Sequence, residues 1–212
     1  MTNFIPIFPL SVVVYPGEQL NLHIYEPRYK QLIKECADEG KSFGIPSVIK
    51  GEIKEMGTLV EIREVSKLYD DGGMDIKTVG TEVFRILEVI KELPEKMYSG
   101  AIVTYPENST DRNAGMMGLI MSAIRDVYKK LHVRKKFPGK DEELTSYDVA
   151  HLVGLSLEEE YLILELQSET HRLEFLKRHL SRVVPIMNQM EALKKKIRQN
   201  GHFKNLEGFS FS

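Results

Sequence analysis

Phe8-Pro9-Leu10-Ser11-Val12-Val13-Val14-Tyr15-Pro16-Gly17-Glu18-Gln19-Leu20-Asn21-Leu22-His23-Ile24-Tyr25-Glu26-Pro27-Arg28-Tyr29 is the stretch that decides how the chain begins to fold. A β-rich run leads into Pro16-Gly17, a pair suited to a turn because proline presets its own φ and glycine accepts a positive one. Leu20, Leu22 and Ile24 then alternate with Asn21 and His23, the period-two pattern of a half-buried strand. Pro27 fits the first turn of a helix, where its missing N–H costs nothing. Tyr29, Leu32, Ile33 and Cys36 follow at i, i+3, i+4 and i+7, and Gly40 can close the helix in the left-handed conformation. The expected order is strand, turn, strand, helix, as in the opening of a small β-barrel. Cys36 falls on the buried face, and nothing in the sequence supplies a base or helix N-terminus to activate it, so it reads as a structural thiol.

Working outward, the first half keeps a β-like period. Residues 58–69 and 74–80 are extended candidates joined by Asp70-Asp71-Gly72-Gly73, a strong hairpin signal. Residues 82–90 and 99–105 supply two more β-rich runs, and short strands with frequent turns favour a barrel or sandwich. After Pro106 the period changes to that of helices. Met117, Ile120, Met121, Ile124, Val127, Tyr128 and Leu131 form one apolar stripe, with Ser109, Thr110 or Asp111 available as its cap. Thr145 with Asp148, and Ser156 with Glu159, match the capping-box pattern and predict helices over 146–153 and 157–166. A longer helix from near Ser168 carries Leu173, Leu176, Leu180, Val183, Met187, Met190 and Ile197, and Pro185 should kink or divide it. The fold class is α+β, with a β-rich subdomain over 1–110 and a helical subdomain over 111–212. No internal repeat is visible.

These segments resemble, in order, the N-terminal substrate-binding domain of Lon proteases. Besides the opening stretch, the resemblance rests on Phe43-Gly44, on Met56-Gly57-Thr58-Leu59-Val60-Glu61-Ile62 and on Val79-Gly80-Thr81-Glu82-Val83-Phe84-Arg85-Ile86. In the helical half it rests on 150–160 and on Leu164-Glu165-Leu166-Gln167-Ser168-Glu169-Thr170-His171-Arg172-Leu173, similar to a Leu-Glu, spacer, Arg-Leu pattern. It spans roughly residues 4–190. It implies a PUA-like β pseudo-barrel with one inserted helix, then a helical bundle ending in a long helix. Tyr25 stands where the family usually has Phe. Full Lon proteases carry an ATPase and a Ser/Lys peptidase after this domain; the resemblance here is to a stand-alone member without either, a recognition module rather than an enzyme.

Composition narrows the options. With 42% apolar and 28% charged residues the chain reads as a soluble globular protein, and a net charge of −2 exerts no general pull toward nucleic acid or acidic lipid. A single cysteine excludes an internal disulfide and suits a reducing cytoplasm. The first residues lack the basic start and unbroken apolar run of a secretory signal, and no apolar run approaches the roughly 18 residues of a membrane span. No phosphate loop is present: Gly139-Lys140 is followed by Asp141, and Arg134 stands where the first glycine is needed. None of the six histidines shows metal-ligand spacing. His171 and His179 read as solvated or capping side chains on one helix face. No Gly-x-Ser-x-Gly elbow occurs. No cofactor and no metal are expected.

The binding candidates are aromatic and polar residues of the β-rich half: Tyr15, His23, Tyr25, Phe84, Tyr98 and Tyr105. A groove between barrel and helices is the expected place for unfolded or partner proteins and peptides, because clefts favour such junctions. A protease or chaperone acting in trans fits this reading; the client and the oligomeric state are not set by the sequence. Glu26 is expected to cap the first helix while Arg28 pairs with a nearby carboxylate. The stretch containing Arg125, Lys129, Lys130, Arg134, Lys135, Lys136 and Lys140 is the clearest charge asymmetry. RNA binding through Lys130, Arg134, Lys135 and Lys136 is the alternative, against which stand the acidic residues 141–143 and the sparse aromatics Tyr128 and Phe137.

Overall fold

The structure is a computed structural model and describes residues 2–109, 111–135, 137 and 139–204. Its contacts divide it into two compact units, Met1–Asp111 with Thr145–Arg172, and Arg112–Leu144 with Leu173–Ser212. The sequence places 145–172 with the helical half; in the structure these residues cluster with the sheet.

Six strands form the first unit: β1 (Thr2–Pro6), β2 (Gln19–Ile24), β3 (Phe43–Ile49), β4 (Glu52–Leu68), β5 (Met74–Ile90) and β6 (Gly100–Thr104). The order is β1-β6-β5-β4-β3, each pair antiparallel, with β2 also paired to β5. The Asp70–Gly73 turn joins β4 to β5 as its residues predict: Tyr69 N–H donates to Gly73 O at 2.8 Å, and Gly72 sits at a φ of 77°. Residues 74–80 and 82–90, read from sequence as two strands, are one. The register passes from Val60↔Gly80 to Leu59↔Glu82 and skips Thr81, a bulge that bends the strand without ending it. The first part of β5 pairs with β2 and the last with β6.

The opening stretch folds differently from its reading before the turn. Residues 8–18 are not a strand; Pro9 has no N–H to offer, and pairing is reduced to isolated parallel bridges, Ile7 to Gly44 and Leu10 to Ser47. Those bridges, with Phe8 N–H to Gly44 O at 2.8 Å and Val48 N–H to Leu10 O at 2.8 Å, bring the β1 end of the sheet onto β3. At Pro16-Gly17 the expected turn forms, with Glu18 N–H donating to Tyr15 O at 3.1 Å. It lies directly on Gly80, where a Cβ would stand 2.3 Å from Tyr15 O.

Helix α1 (Pro27–Glu39) buries Tyr29, Leu32, Ile33 and Cys36 and ends at Gly40 with a φ of 63°, as its pattern requires. Glu26 occupies the N-cap position, but its side chain does not cap the helix. It accepts instead from Arg28 Nε at 2.9 Å, because the guanidinium two residues on is a stronger partner than a backbone N–H. α1 closes over a core that includes Phe8, Val14, Ile24, Phe43, Ile45, Val60 and Ile76. A second cluster centres on Phe84 with Ile5, Ile7, Ala101 and Val103. The Phe84 ring covers two glycines: a Cβ would lie 2.9 Å from it at Gly44 and 2.5 Å from it at Gly57.

Two short helices complete this unit. α3 (Ser146–Val149) runs into a 3-10 turn (Ala150–Leu152), and α4 (Leu157–Glu165) follows; both capping boxes form. They are tied to the sheet by hydroxyls, Tyr15 OH to Glu160 O at 2.9 Å and Met56 N–H to Tyr161 OH at 3.0 Å. In the second unit α2 (Ala114–Lys130) buries Met117, Ile120, Met121 and Ile124. Its cap is Asn113, which accepts from Met116 N–H at 3.0 Å, rather than Ser109 or Asp111; Thr110 lies outside the described residues. α5 (Glu169–Lys204) begins in the first unit and continues in the second, running through Pro185 as one helix. Proline removes one backbone bond there, too little to end a helix of this length. Among the described residues no helix is long and apolar enough to cross a membrane.

One buried charge holds the helical edge of the first unit together. Arg172 is fully buried. Its Nε donates to Ser146 Oγ at 2.9 Å, Nη1 to Asn108 Oδ1 at 2.7 Å and Leu166 O at 2.6 Å, and Nη2 to Ser109 O at 2.5 Å and Glu169 Oε2 at 3.0 Å. Glu169, equally buried, also accepts from Ser146 N–H and Oγ, both at 2.6 Å. Removing one partner of such a pair strands the other without water. Arg172→Met should therefore cost about 3–5 kcal/mol in denaturant unfolding. Arg172→Met with Glu169→Met should cost less than the single change, and an equal or greater loss would contradict this account.

Candidate functional site

The structure separates the sequence candidates by burial. Tyr15, Phe84 and Tyr98 are core residues and present no ring to a ligand. Phe84 fills the second cluster, and Tyr98 OH donates to Glu35. Tyr105 is half-buried beside Pro16, Thr81 and Glu82. Period-two alternation picks out apolar β positions but not which of them lie beneath another element. The Tyr15 ring lies under α3 and the following turn, with ring centres 5.1 Å from Tyr147 and 4.8 Å from His151. Burial, then the nearby Glu160 and Glu18 charges, push its hydroxyl pKa up, so it remains a donor.

His23 and Tyr25 are the two candidates that are exposed and together. Their rings lie 6.1 Å apart, and Tyr69 meets His23 edge-on at 5.5 Å. Asp75 organises the cluster because the register sets it opposite His23 on β2 and Lys67 on β4. Its carboxylate takes His23 Nδ1 at 2.6 Å and Tyr69 OH at 2.8 Å, and these bonds hold its pKa below the ordinary aspartate value. Lys67 Nζ stands 4.3 Å over the Tyr69 ring.

Met74 precedes Asp75, and successive strand residues face opposite sides. On its side lies an apolar groove of 710 Å³ between α1 and the hairpin end of the sheet. Pro27, Ile33 and Ala37 form one wall, Val65, Leu68 and Met74 the other, and Met97 overhangs it. Leu68 is 70% and Met97 60% exposed. Lys30, Lys34 and Asp38 edge the groove. The sequence reading missed it because Leu68 and Met97 sit where periodicity stops, at a strand end and in a loop. An apolar residue beside a strong turn signal was the available clue.

Of the basic candidates, two are held by carboxylates. Lys130 pairs with Asp126, and Arg125 grips Asp141 at 2.7 and 2.5 Å. Arg134 and Lys135 line a 550 Å³ pocket with Tyr128 and Phe137; Lys136 lies outside the described residues. Cys36 is buried, and burial followed by the nearby Glu35 and Glu39 charges pushes its thiol up to about 11. His171 is exposed but His179 is buried: eight residues at 100° each set them about 80° apart, enough to put one outside and one at the packed side of the helix. Among the described residues no group of three or more His, Cys, Asp or Glu could hold a metal ion.

Residues 5–182 match the ATP-dependent protease La (Lon) substrate-binding domain. The fold is similar to that of a Lon N-terminal domain protein from Xanthomonas campestris, with a TM-score of 0.67 and 24% identity over 83% of this chain and 98% of that one. It is also similar to the N-terminal domain of the Lon protease of the Mycobacterium avium complex, with a TM-score of 0.61 and 16% identity over 84% and 98% of the two chains.

His151 links the opening turn to α4. Its Nε2 meets Glu18 Oε2 at 3.1 Å and its Nδ1 meets Glu160 Oε1 at 2.7 Å. Burial lowers its pKa, but the bonds to Glu18 and Glu160 outweigh burial and raise it from 6.5 to about 9. A raised folded-state pKa stabilises below the unfolded value and is lost as pH rises through the folded one. Unfolding free energy should therefore fall between pH 6.5 and about 9. His151→Gln should flatten that slope in urea titrations across the range; an unchanged slope would assign it to other groups.

Proposed function

The chain belongs to the Lon substrate-binding domain family, and we propose on that premise that it is a non-catalytic module holding exposed apolar stretches of unfolded or partner proteins. The observation that carries this reading is the groove between α1 and the β4–β5 hairpin, with Leu68 and Met97 exposed at its lip. Contiguous exposed apolar surface of this kind is rare unless something covers it. Met74 and Met97 can repack against different side chains, which suits a surface that accepts many sequences. Affinity comes from burying apolar area, about 25 cal/mol per Å² before ordering costs. His23 and Tyr25 add stacking and hydrogen bonding on the other face of the hairpin end.

On this reading the sheet, brought round onto β3, is a pseudo-barrel of the PUA-like type. The module works in the cytoplasm, needs no cofactor, and passes clients to a protease or chaperone in trans. RNA binding at the pocket of Tyr128, Arg134, Lys135 and Phe137 is the alternative, favoured by its pairing of cations with rings.

Binding of a permanently unfolded model protein and of a structured RNA, measured side by side over a salt series, tests this. Protein binding with weak salt dependence is expected, with Leu68→Asp or Met97→Asp weakening it about tenfold or more at unchanged thermal stability. No protein binding at any salt sinks the reading. RNA binding that falls steeply with salt and is lost on neutralising Lys135 favours the alternative.

A further inference from the structure

We propose that the C-terminal half of α5 is a docking surface for an acidic amphipathic helix of another protein. Ile186, Met190, Leu193 and Ile197 are between 49% and 61% exposed. They recur at intervals of four, three and four residues, the seam spacing of two helices packed side by side. Leu173, Leu176 and Leu180, about two to four turns earlier on the same helix, are buried. The helix thus changes from a covered apolar face to an uncovered one, and the uncovered part is built to the geometry of a second helix.

The charge pattern selects the occupant. Lys194 and Lys196 flank the seam on either side, Lys195 faces away from it, and Glu191 is the one carboxylate between residues 186 and 197. Leu131, Met187 and Met190 line a 440 Å³ cleft together with Lys130, Lys194 and Lys195, and Glu191 is its one carboxylate. A second copy of this chain fits poorly. Parallel pairing sets Lys194 and Lys196 level with the same two lysines. Antiparallel pairing centred on the seam sets them against Gln189 and Met187, which offer no counter-charge. A membrane surface fits less well too: this stretch has no aromatic residue and a narrow seam rather than a broad apolar arc. A helix with leucine-like residues at seam spacing and flanking Asp or Glu satisfies both the apolar row and the lysines. This surface lies in the second unit and is independent of the α1 groove.

The test uses the full chain with two designed peptides that share one leucine seam, one flanked by glutamates and the other by lysines. Vesicles of neutral and of anionic phospholipid, and sedimentation of the chain alone, complete it. The glutamate peptide should bind about tenfold more tightly than the lysine peptide, as two exposed ion pairs in the one and two like-charge contacts in the other allow. Lys194→Glu/Lys195→Glu/Lys196→Glu should reverse that order. Leu193→Asp should abolish binding while thermal stability holds, and Leu68→Asp should leave it unchanged. Equal binding of the two peptides, binding of neither, preferential uptake by anionic vesicles, or self-association that Leu193→Asp abolishes would each overturn the proposal.

Discussion

A guanidinium with all five N–H groups bonded inside the protein is the constraint on which the helical edge of the first unit depends. Arg172 gathers Asn108 and Ser109 from the segment after β6, Ser146 from α3, Leu166 from the end of α4 and Glu169 from its own helix. Apolar contacts would bring these segments together in many similar ways. A planar fork with five directed donors accepts few arrangements, because a misplaced acceptor leaves a buried charge without a partner. The constraint extends further by ring contacts. The guanidinium carbon stands 4.3 Å over Tyr147, and Tyr147 stacks on Tyr15. Tyr15 begins the Pro16-Gly17 turn that rests on Gly80, where β5 bends. A continuous line of contacts therefore joins the start of α5 to the bend of the sheet.

The motifs that carry the family resemblance prove to be partners of one another. Phe43-Gly44 and Gly57 are far apart in sequence, yet both glycines lie beneath the Phe84 ring, and a side chain at either would meet it. Gly80 is needed four residues before Phe84 because Tyr15 O approaches too closely for a Cβ. The Arg-Leu pair near 172 marks both layers at once, Arg172 closing the polar network and Leu173 opening the apolar stripe of α5. Each motif is weak alone because its meaning lies in a contact made across the fold.

That also explains how much of the molecule could be read from the chain. Local chemistry was legible: the Pro16-Gly17 turn, the Asp70–Gly73 hairpin, both capping boxes, and the Tyr29, Leu32, Ile33, Cys36 face of α1 all stand as their residues predict. Features set by distant partners were not. A bulge at Thr81 joined two expected strands into one, Arg28 drew Glu26 away from its cap, and hydroxyl bonds to Glu160 and Met56 drew 145–172 onto the sheet. The candidate site divides in the same way. Aromatic residues stand out in the sequence as a class, but burial depends on which element covers them, so Tyr15, Phe84 and Tyr98 lie inside while His23 and Tyr25 lie outside.

The distribution of reactive groups bears on what kind of surface remains. His151 has both ring nitrogens engaged by carboxylates, Asp75 has both oxygens engaged by His23 and Tyr69, and Cys36 is a buried thiol held protonated by burial. Proton transfer needs a group whose partner can be replaced by substrate, and these three are bound into the fold at the turn, the hairpin end and the core. The apolar side chains are arranged the other way. Leu68 stands at the end of β4, Met97 in the loop before β6, and Ile186 to Ile197 lie along a helix, so most of them are exposed on regular backbone. A surface preorganised in this way loses little side-chain freedom when covered, and gains the burial of area that it already presents. On the function proposed above, contact area held in place is what this chain would offer a partner.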